Sequence, residues 1–377
     1  MLACRARILI PEEWIVSSSP KCTENHFFHL PKVDLHRHLE GSIRLSTITE
    51  LSRKGLIDLP ADETRLQRRV QMSPGEARSP ANFLQKFKSV RDVFSSPEII
   101  HRVTQEAVED AAADNVAYLE IHFTPVALAQ TKKFDLEDVF RWVLAAGREQ
   151  AERSGLELGF IASINRHEPL REAEEVAALA AEYYGRGVVG LGLAGNEAGF
   201  ESQPFAALFR EAARSGLGIT IHAGEWAGAE SVRSAILDFG APRIGHGIRI
   251  LENSYITAMA RECGTVFEVC LTSNMDSGIV SALPAHPLGE MIGNGLLVTL
   301  NSDDPSICRT TLSREYSLAY FEQGLTEETI HRLILRALDT GFLSEGKAVL
   351  KRRISEGVAR AVPLAASIHS LQYSFGR

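Results

Sequence analysis

The sequence predicts a (β/α)8 TIM barrel, and three observations carry that prediction. After Pro31, eight short β-branched or apolar runs alternate with longer stretches of i, i+3, i+4 apolar spacing, the signature of βαβ units around a parallel sheet. Most of the helical stretches end in Gly, a common helix terminator. Histidine, aspartate and glutamate collect at the ends of the runs, the rim where a barrel's βα loops meet. A doubly wound open sheet ranks second, because the Gly-rich dinucleotide turn is missing after the first run.

Taken in order, the strands are VDLHRH (33–38), VAYLEIHF (116–123), LELGFIASI (156–164), GVVGLGL (187–193), GITIH (218–222), PRIGHG (242–247), TVFEVCL (265–271) and LLVTLN (296–301). Between them lie helical patterns such as EDVFRWVLAAGREQAERSG, AEEVAALAAEYYG and PFAALFREAARSG. The gap from Leu39 to Asn115 is too long for a simple βα connection and must hold inserted structure. Within it, NFLQKFKSVRDVF (82–94) reads as an amphipathic helix, either a lid over the barrel mouth or an ordinary outer helix. Beyond Thr310 the pattern is helical nearly to Ala361, giving the eighth barrel helix and further C-terminal helices. Residues 1–30 show no period and read as an N-terminal arm, with 31–377 forming one domain.

The 377 residues are 45% hydrophobic and 23% charged, ordinary globular values that exclude disorder, collagen and coiled coil. Forty Lys and Arg face 48 Asp and Glu, and a net charge of −8 lacks the field that holds nucleic acid or anionic lipid. No run approaches the roughly 18 to 20 apolar residues of a membrane span. The expected partner is a small molecule, without nucleic acid or membrane. Five scattered cysteines with no C-x-x-C pair indicate neither a disulfide framework nor a thiolate metal site, and a cytoplasmic setting fits them.

His36 and His38 end the first strand, and their i, i+2 spacing puts both imidazoles on one face, with Val33 and Leu35 on the other. His222 ends the fifth strand and Asp303 follows the eighth, so three imidazoles and a carboxylate can meet above the barrel around one divalent metal. A lone strand histidine is more often a hydrogen-bonded core residue, but four such groups at strand ends ask for a common cause. A two-metal barrel site needs a bridging Lys or carboxylate after the fourth strand. The segment GLGLAGNEAGF there has no Lys and offers only Glu197, so one metal is expected. Glu225, three residues past His222 in HAGE, is placed to act as general acid or base beside the metal's water. His246 in IGHG can polarise that water or hold its proton. Asp304 faces another way and is free either to bind substrate or to cap the turn that follows.

LHRHLEGS (35–42), LAGNE (193–197), IHAGE (221–225), IGHG (244–247), LTSN (271–274) and NSDDP (301–305), in that order, resemble the motifs of the adenosine deaminase family of the amidohydrolase superfamily, over Pro31 to Tyr320. The resemblance implies an enzyme with one Zn(2+) per chain that hydrolyses the 6-amino group of a purine nucleoside or base and releases ammonia. The H-x-E and P-C-x-x-C signature of the cytidine-deaminase group is absent. By the same resemblance His36, His38, His222 and Asp303 match the zinc ligands, Glu225 the proton shuttle to N1, and His246 the residue that orients the attacking water. Gly195 matches the backbone donor to N3 and Asp304 the partner of N7. Phe83, Leu84 and Phe87 resemble the apolar helix that closes over the nucleoside. Two departures stand out. Glu40 replaces the Asp that contacts the ribose 5′ hydroxyl, and Asn196 replaces the Asp of LAGDE. The Glu form also occurs in relatives acting on adenine or on modified nucleosides such as aminodeoxyfutalosine, so adenosine leads with those as alternatives.

Overall fold

The computed structural model describes residues 26–73, 75–343 and 346–372, with side chains through residue 359. Eight strands lie within one or two residues of their expected places: β1 (Lys32–His38), β2 (Val116–Phe123), β3 (Glu157–Asn165), β4 (Val188–Ala194), β5 (Gly218–Ala223), β6 (Arg243–His246), β7 (Val266–Val269) and β8 (Leu297–Leu300). They pair in chain order, every neighbour parallel. The seam between the last strand and the first is closed by the backbone of Asp303. Its N–H donates to the His36 carbonyl and its own carbonyl accepts from His38 N–H, both at 2.8 Å. Below this bridge, the Leu35 N–H donates to Asn301 Oδ1 at 3.0 Å.

The outer helices form where the apolar spacing predicts them. In Leu136–Ser154, Asp135 accepts from the Glu137 N–H at the N-terminus, Val139, Phe140, Val143 and Leu144 face the core, and Gly155 ends the helix in a left-handed turn. The insertion after β1 contains the helices Leu45–Arg53, Glu63–Val70 and Pro80–Arg91 ahead of the first outer helix, Pro97–Ala113. Ser79 and Ser96 cap the last two, each followed by a proline preset for the first helical position. Pro80–Arg91 packs against the short turn Glu40–Ser42 at the top of β1, the position of a lid and not of an ordinary outer helix. The insertion is also tied to the loop after β8, with the Gln71 side chain donating to the Ser306 carbonyl and the Met72 N–H to that of Ile307.

At the lower end, Lys32 Nζ donates to the Leu30 carbonyl at 2.9 Å, and Phe27 and Leu30 are buried. Residues just before Pro31, the last part of the expected 1–30 arm, are therefore packed, while 1–25 of that arm lie outside the described residues. The C-terminal region is helical as expected, in Leu312–Phe321, Glu327–Thr340 and Lys347–Gln372. No helix among the described residues is long and apolar enough to cross a membrane.

The barrel interior carries an ion network that periodicity does not reveal. Arg243, 1% exposed, donates through Nε to Glu268 Oε1 at 2.5 Å and through Nη2 to Glu120 Oε2 at 2.7 Å. Glu120 also accepts from the Tyr118 hydroxyl and the Phe342 N–H, and the Phe342 ring covers the guanidinium at 3.6 Å. Two desolvated carboxylates thus share one desolvated cation. Replacing Arg243 by Met should destabilise the fold by about 3–5 kcal/mol, since both carboxylates lose their counter-ion in a dry interior. Denaturant unfolding measures this, and a loss below about 1 kcal/mol would mean that the network does not brace the barrel.

Candidate metal and catalytic centre

Above that network, at the C-terminal mouth, four donor atoms from β1, β5 and the loop after β8 converge. The Nε2 atoms of His36, His38 and His222 lie 3.1 to 3.3 Å apart, and Asp303 Oδ1 lies 3.4 Å from His36 Nε2 and 3.3 Å from His38 Nε2. Ligands held tetrahedrally about 2.0–2.1 Å from a zinc-sized ion stand about 3.3 Å from one another, so the spacing fits such an ion. His246 also comes within 4.8 Å of the donor atoms of His36, His222 and Asp303. It borders the set without joining it, because its Nε2 lies 3.9 Å from Asp303 Oδ2, whereas His38 stands 3.2–3.3 Å from three donors.

The outer hydrogen bonds aim these rings. His36 Nδ1 faces Glu268 Oε2 at 2.7 Å, which Thr220 Oγ1 also meets at 2.9 Å, and His222 Nδ1 faces the Leu193 carbonyl at 3.1 Å. With Nδ1–H donating in both rings, each Nε2 lone pair is left pointing into the cluster. Gly245 on β6 makes the space: a Cβ there would stand 2.8 Å from His36 Cε1 and 3.2 Å from the His222 ring. Burial opposes a charge on Glu268, yet Arg243 and His36 outweigh it and hold its pKa down at about 2. Burial likewise opposes a proton on His36, but hydrogen bonds to Asp303 and Glu268 raise its pKa to about 10. A cation at His36 Nε2 satisfies the field that otherwise retains that proton. Burial lowers His38 to about 3 and puts His222 well below its ordinary value, which keeps both as neutral donors.

Asp303 and His246 share an unusual backbone. Both have left-handed φ, +57° and +60°, a region sparsely occupied outside glycine. Glu225 sits in the loop after β5 and is 5% exposed, with its Oε2 3.7 Å from His246 Nε2. Burial, then the charges of Asp303 and Glu197, push its carboxyl well above the usual carboxylate range, which favours its protonated form. Asp304 is pushed up in the same way by burial and by Asp303, Glu40 and Glu225. Its side chain caps nothing, its Oδ1 has no partner, and it lies over Gly41, where a Cβ would fall 1.8 Å from that oxygen. The capping alternative is thereby excluded, and a buried acid with one unpartnered oxygen is left beside the donor cluster.

The remaining expected residues also reach this mouth. Glu40 is 2% exposed and holds one oxygen to the Thr124 N–H at 3.1 Å, while Oε2 is unpartnered. Gly195 follows β4 with φ +91°, next to Asn165. Phe83 is buried in the lid helix and stacks edge-on against Phe87 at 5.8 Å, with Leu84 and Phe87 partly buried beside it.

From its sequence position Glu197 suggests only a ligand, and Glu268 and His122 carry no expected role. Glu197 is no ligand here: its carboxylate accepts from the N–H groups of Gly224, Glu225, Trp226 and Ala227 and from Ser231 Oγ, which fastens the loop that carries Glu225. The signal for this was the adjacency of the β4 and β5 loops in a barrel. His122 ends β2 with its ring 4.8 and 4.9 Å from those of His36 and His38, and its Nε2 is unpartnered. Its place at a strand end was visible in VAYLEIHF.

The adenosine deaminase family model matches residues 31–361. The adenosine deaminase of Klebsiella pneumoniae strain 342 is 38% identical over 333 residues, 87% of this chain and 98% of that protein. Among solved structures, adenine deaminase from Arthrobacter aurescens superposes with TM-score 0.80 at 27% identity, covering 88% of this chain and 99% of that one. An Arabidopsis N6-mAMP deaminase does so with TM-score 0.78 at 30% identity, covering 88% and 99%. The match spans the barrel from its first strand into the last C-terminal helix and so takes in every strand end that feeds the cluster, and on that extent the chain belongs to the adenosine deaminase family of aminohydrolases.

Proposed function

We propose that the protein catalyses zinc-dependent hydrolytic deamination of adenosine and 2′-deoxyadenosine, giving the corresponding inosine and ammonia. The convergence of three imidazole nitrogens and one carboxylate beside the buried carboxyl of Glu225, which its surroundings push toward the protonated form, carries this reading. His36, His38, His222 and Asp303 hold the ion, which when bound supplies Lewis-acid chemistry that brings water's pKa from about 15.7 toward about 7. Glu225 gives its proton to N1 as oxygen adds at C6, then carries the water proton to the departing amine. His246 orients the water. Asp304, whose surroundings favour its protonated form, donates to N7, an acceptor that an ionised carboxylate would repel. Gly195 offers its N–H to N3, and Phe83, Leu84 and Phe87 close over the sugar and exclude water.

At N9 the curated relatives favour a nucleoside. The free Glu40 oxygen wants a hydrogen-bond donor, which a ribose hydroxyl supplies. Asp303, Glu40 and Glu225 each add negative charge at Asp304, an acidic environment ill-suited to a nucleotide phosphate. Adenine or a modified nucleoside is the second reading, favoured by the likeness to an adenine deaminase.

Metal analysis should find about one zinc per chain, and His222→Ala should lose both metal and activity, because removing one of four ligands opens the coordination shell. Two tightly bound ions per chain would overturn the single-metal assignment. Glu225→Gln should retain metal and fold while turnover falls by about 10² to 10⁴, since an amide delivers no proton to N1. Near-full turnover in that variant would place the shuttle elsewhere. For the substrate, wild-type kcat/KM should favour adenosine over both adenine and AMP, and Glu40→Ala should cost about 1–3 kcal/mol with adenosine and nothing comparable with adenine. A wild-type preference for adenine or AMP refutes the adenosine assignment and leaves the deaminase chemistry standing.

A further inference from the structure

We propose that Asn274 and His286 are positioning residues that dictate which nitrogen of His246 carries its proton. The three side chains are buried, at 0%, 4% and 1% exposure, and form a line. His246 Nδ1 lies 3.1 Å from Asn274 Nδ2, Asn274 Oδ1 lies 3.2 Å from His286 Nε2, and His286 Nδ1 accepts from the Leu288 N–H at 3.1 Å.

That last contact gives the line its direction. A backbone N–H can only donate, so His286 Nδ1 must be the unprotonated nitrogen of its ring. The ring proton is then on Nε2 and is donated to Asn274 Oδ1. With its oxygen committed, the Asn274 amide presents N–H to His246 Nδ1, which must accept. Reversing the amide would leave His286 with acceptors demanded of both nitrogens, an imidazolate, whereas a histidine ring keeps at least one N–H. Burial also lowers the His286 pKa to about 3, in keeping with a neutral ring.

The consequence falls on the far side of His246. Its proton resides on Nε2, which faces Glu225 Oε2 at 3.7 Å and Asp303 Oδ2 at 3.9 Å, the gap a reacting oxygen would fill. His246 therefore meets that oxygen as a hydrogen-bond donor and has no lone pair there to take the water proton. Of the two roles open to it from the sequence, orientation stands and proton storage falls, which leaves Glu225 as the only carrier of the pair. This catalytic consequence rests on the deaminase reading. The tautomer does not.

The test is nitrogen NMR of the full-length, metal-loaded protein labelled with ¹⁵N-histidine, with His246 assigned by difference from His246→Gln. The expected spectrum has an unprotonated Nδ1 and a protonated Nε2, and the reverse overturns the proposal. Asn274→Asp replaces the amide donor with an acceptor and should move the proton to Nδ1. Its kcat should fall by about 10² or more, in line with the roughly 10⁴ that a wrong histidine tautomer costs a catalytic triad, with metal content unchanged. KM should stay within about twofold, separating this from a loss of binding. An unchanged kcat overturns the role. Should Asn274→Asp fail to fold, His286→Ala and His286→Gln replace it: the Gln amide still donates to Asn274 Oδ1 and should recover most of the kcat lost with Ala, while equal losses count against the relay. A protein with the expected tautomer that deaminates no purine would sink the deaminase reading and leave the hydrogen-bond chain intact.

Discussion

The site depends on how the barrel closes. The backbone bridge between Asp303 and β1 joins the last strand region to the first, and the residue that makes it also supplies a donor carboxylate. Its N–H and carbonyl grip the chain at His36 and His38, the two residues whose imidazoles its side chain faces. Fold closure and donor placement are thus one event, held by two backbone hydrogen bonds. The left-handed φ of Asp303 turns the chain sharply enough to make both contacts. Such strain persists only where the surroundings over-determine it, and the buried Asp34 carboxylate helps by holding Ser302 through its N–H and hydroxyl.

From this seam the interior divides by charge state. Below the donors, Glu268, Arg243 and Glu120 are matched, each partner answered by another. Above them, one oxygen of Glu40 and one of Asp304 have no partner, and burial among like charges pushes the carboxyls of Glu225 and Asp304 well above the usual carboxylate range. A matched layer holds geometry, and an unmatched layer meets a ligand. The same desolvation that would penalise a stray carboxylate here favours the protonated form of two buried acids beside the donor cluster.

The strands and donor residues were legible because they write themselves locally: a buried parallel strand is a short apolar run, and a strand-end H-x-H sets two imidazoles side by side on one face. The lid was half-legible, since amphipathic spacing marks a helix without saying what it covers. The contact of Pro80–Arg91 with Glu40–Ser42 is a tertiary fact. The supporting residues were largely hidden. Glu268, Arg243 and Glu120 sit inside strands that read simply as buried, and their meaning comes from neighbours on other strands. Glu197 fits a ligand by its sequence position alone, although the nearest donors in space are backbone N–H groups of the next loop. His286, in an unremarkable AHPL segment, acquires its place only through Asn274.

The closure seam also sets a schedule. Leu35 and Asn301, which meet beneath the Asp303 bridge, are 266 residues apart in the chain. A nascent chain leaving the ribosome N-terminus first therefore exposes His36 and His38 long before Asp303 exists, and His222 arrives between them. The Phe342 cover on Arg243 comes later still. Contacts of such long sequence separation form late and slowly. Full coordination of an ion by these four donors would therefore wait for this late closure, and an ion captured early by the two histidines alone would be held by half a site.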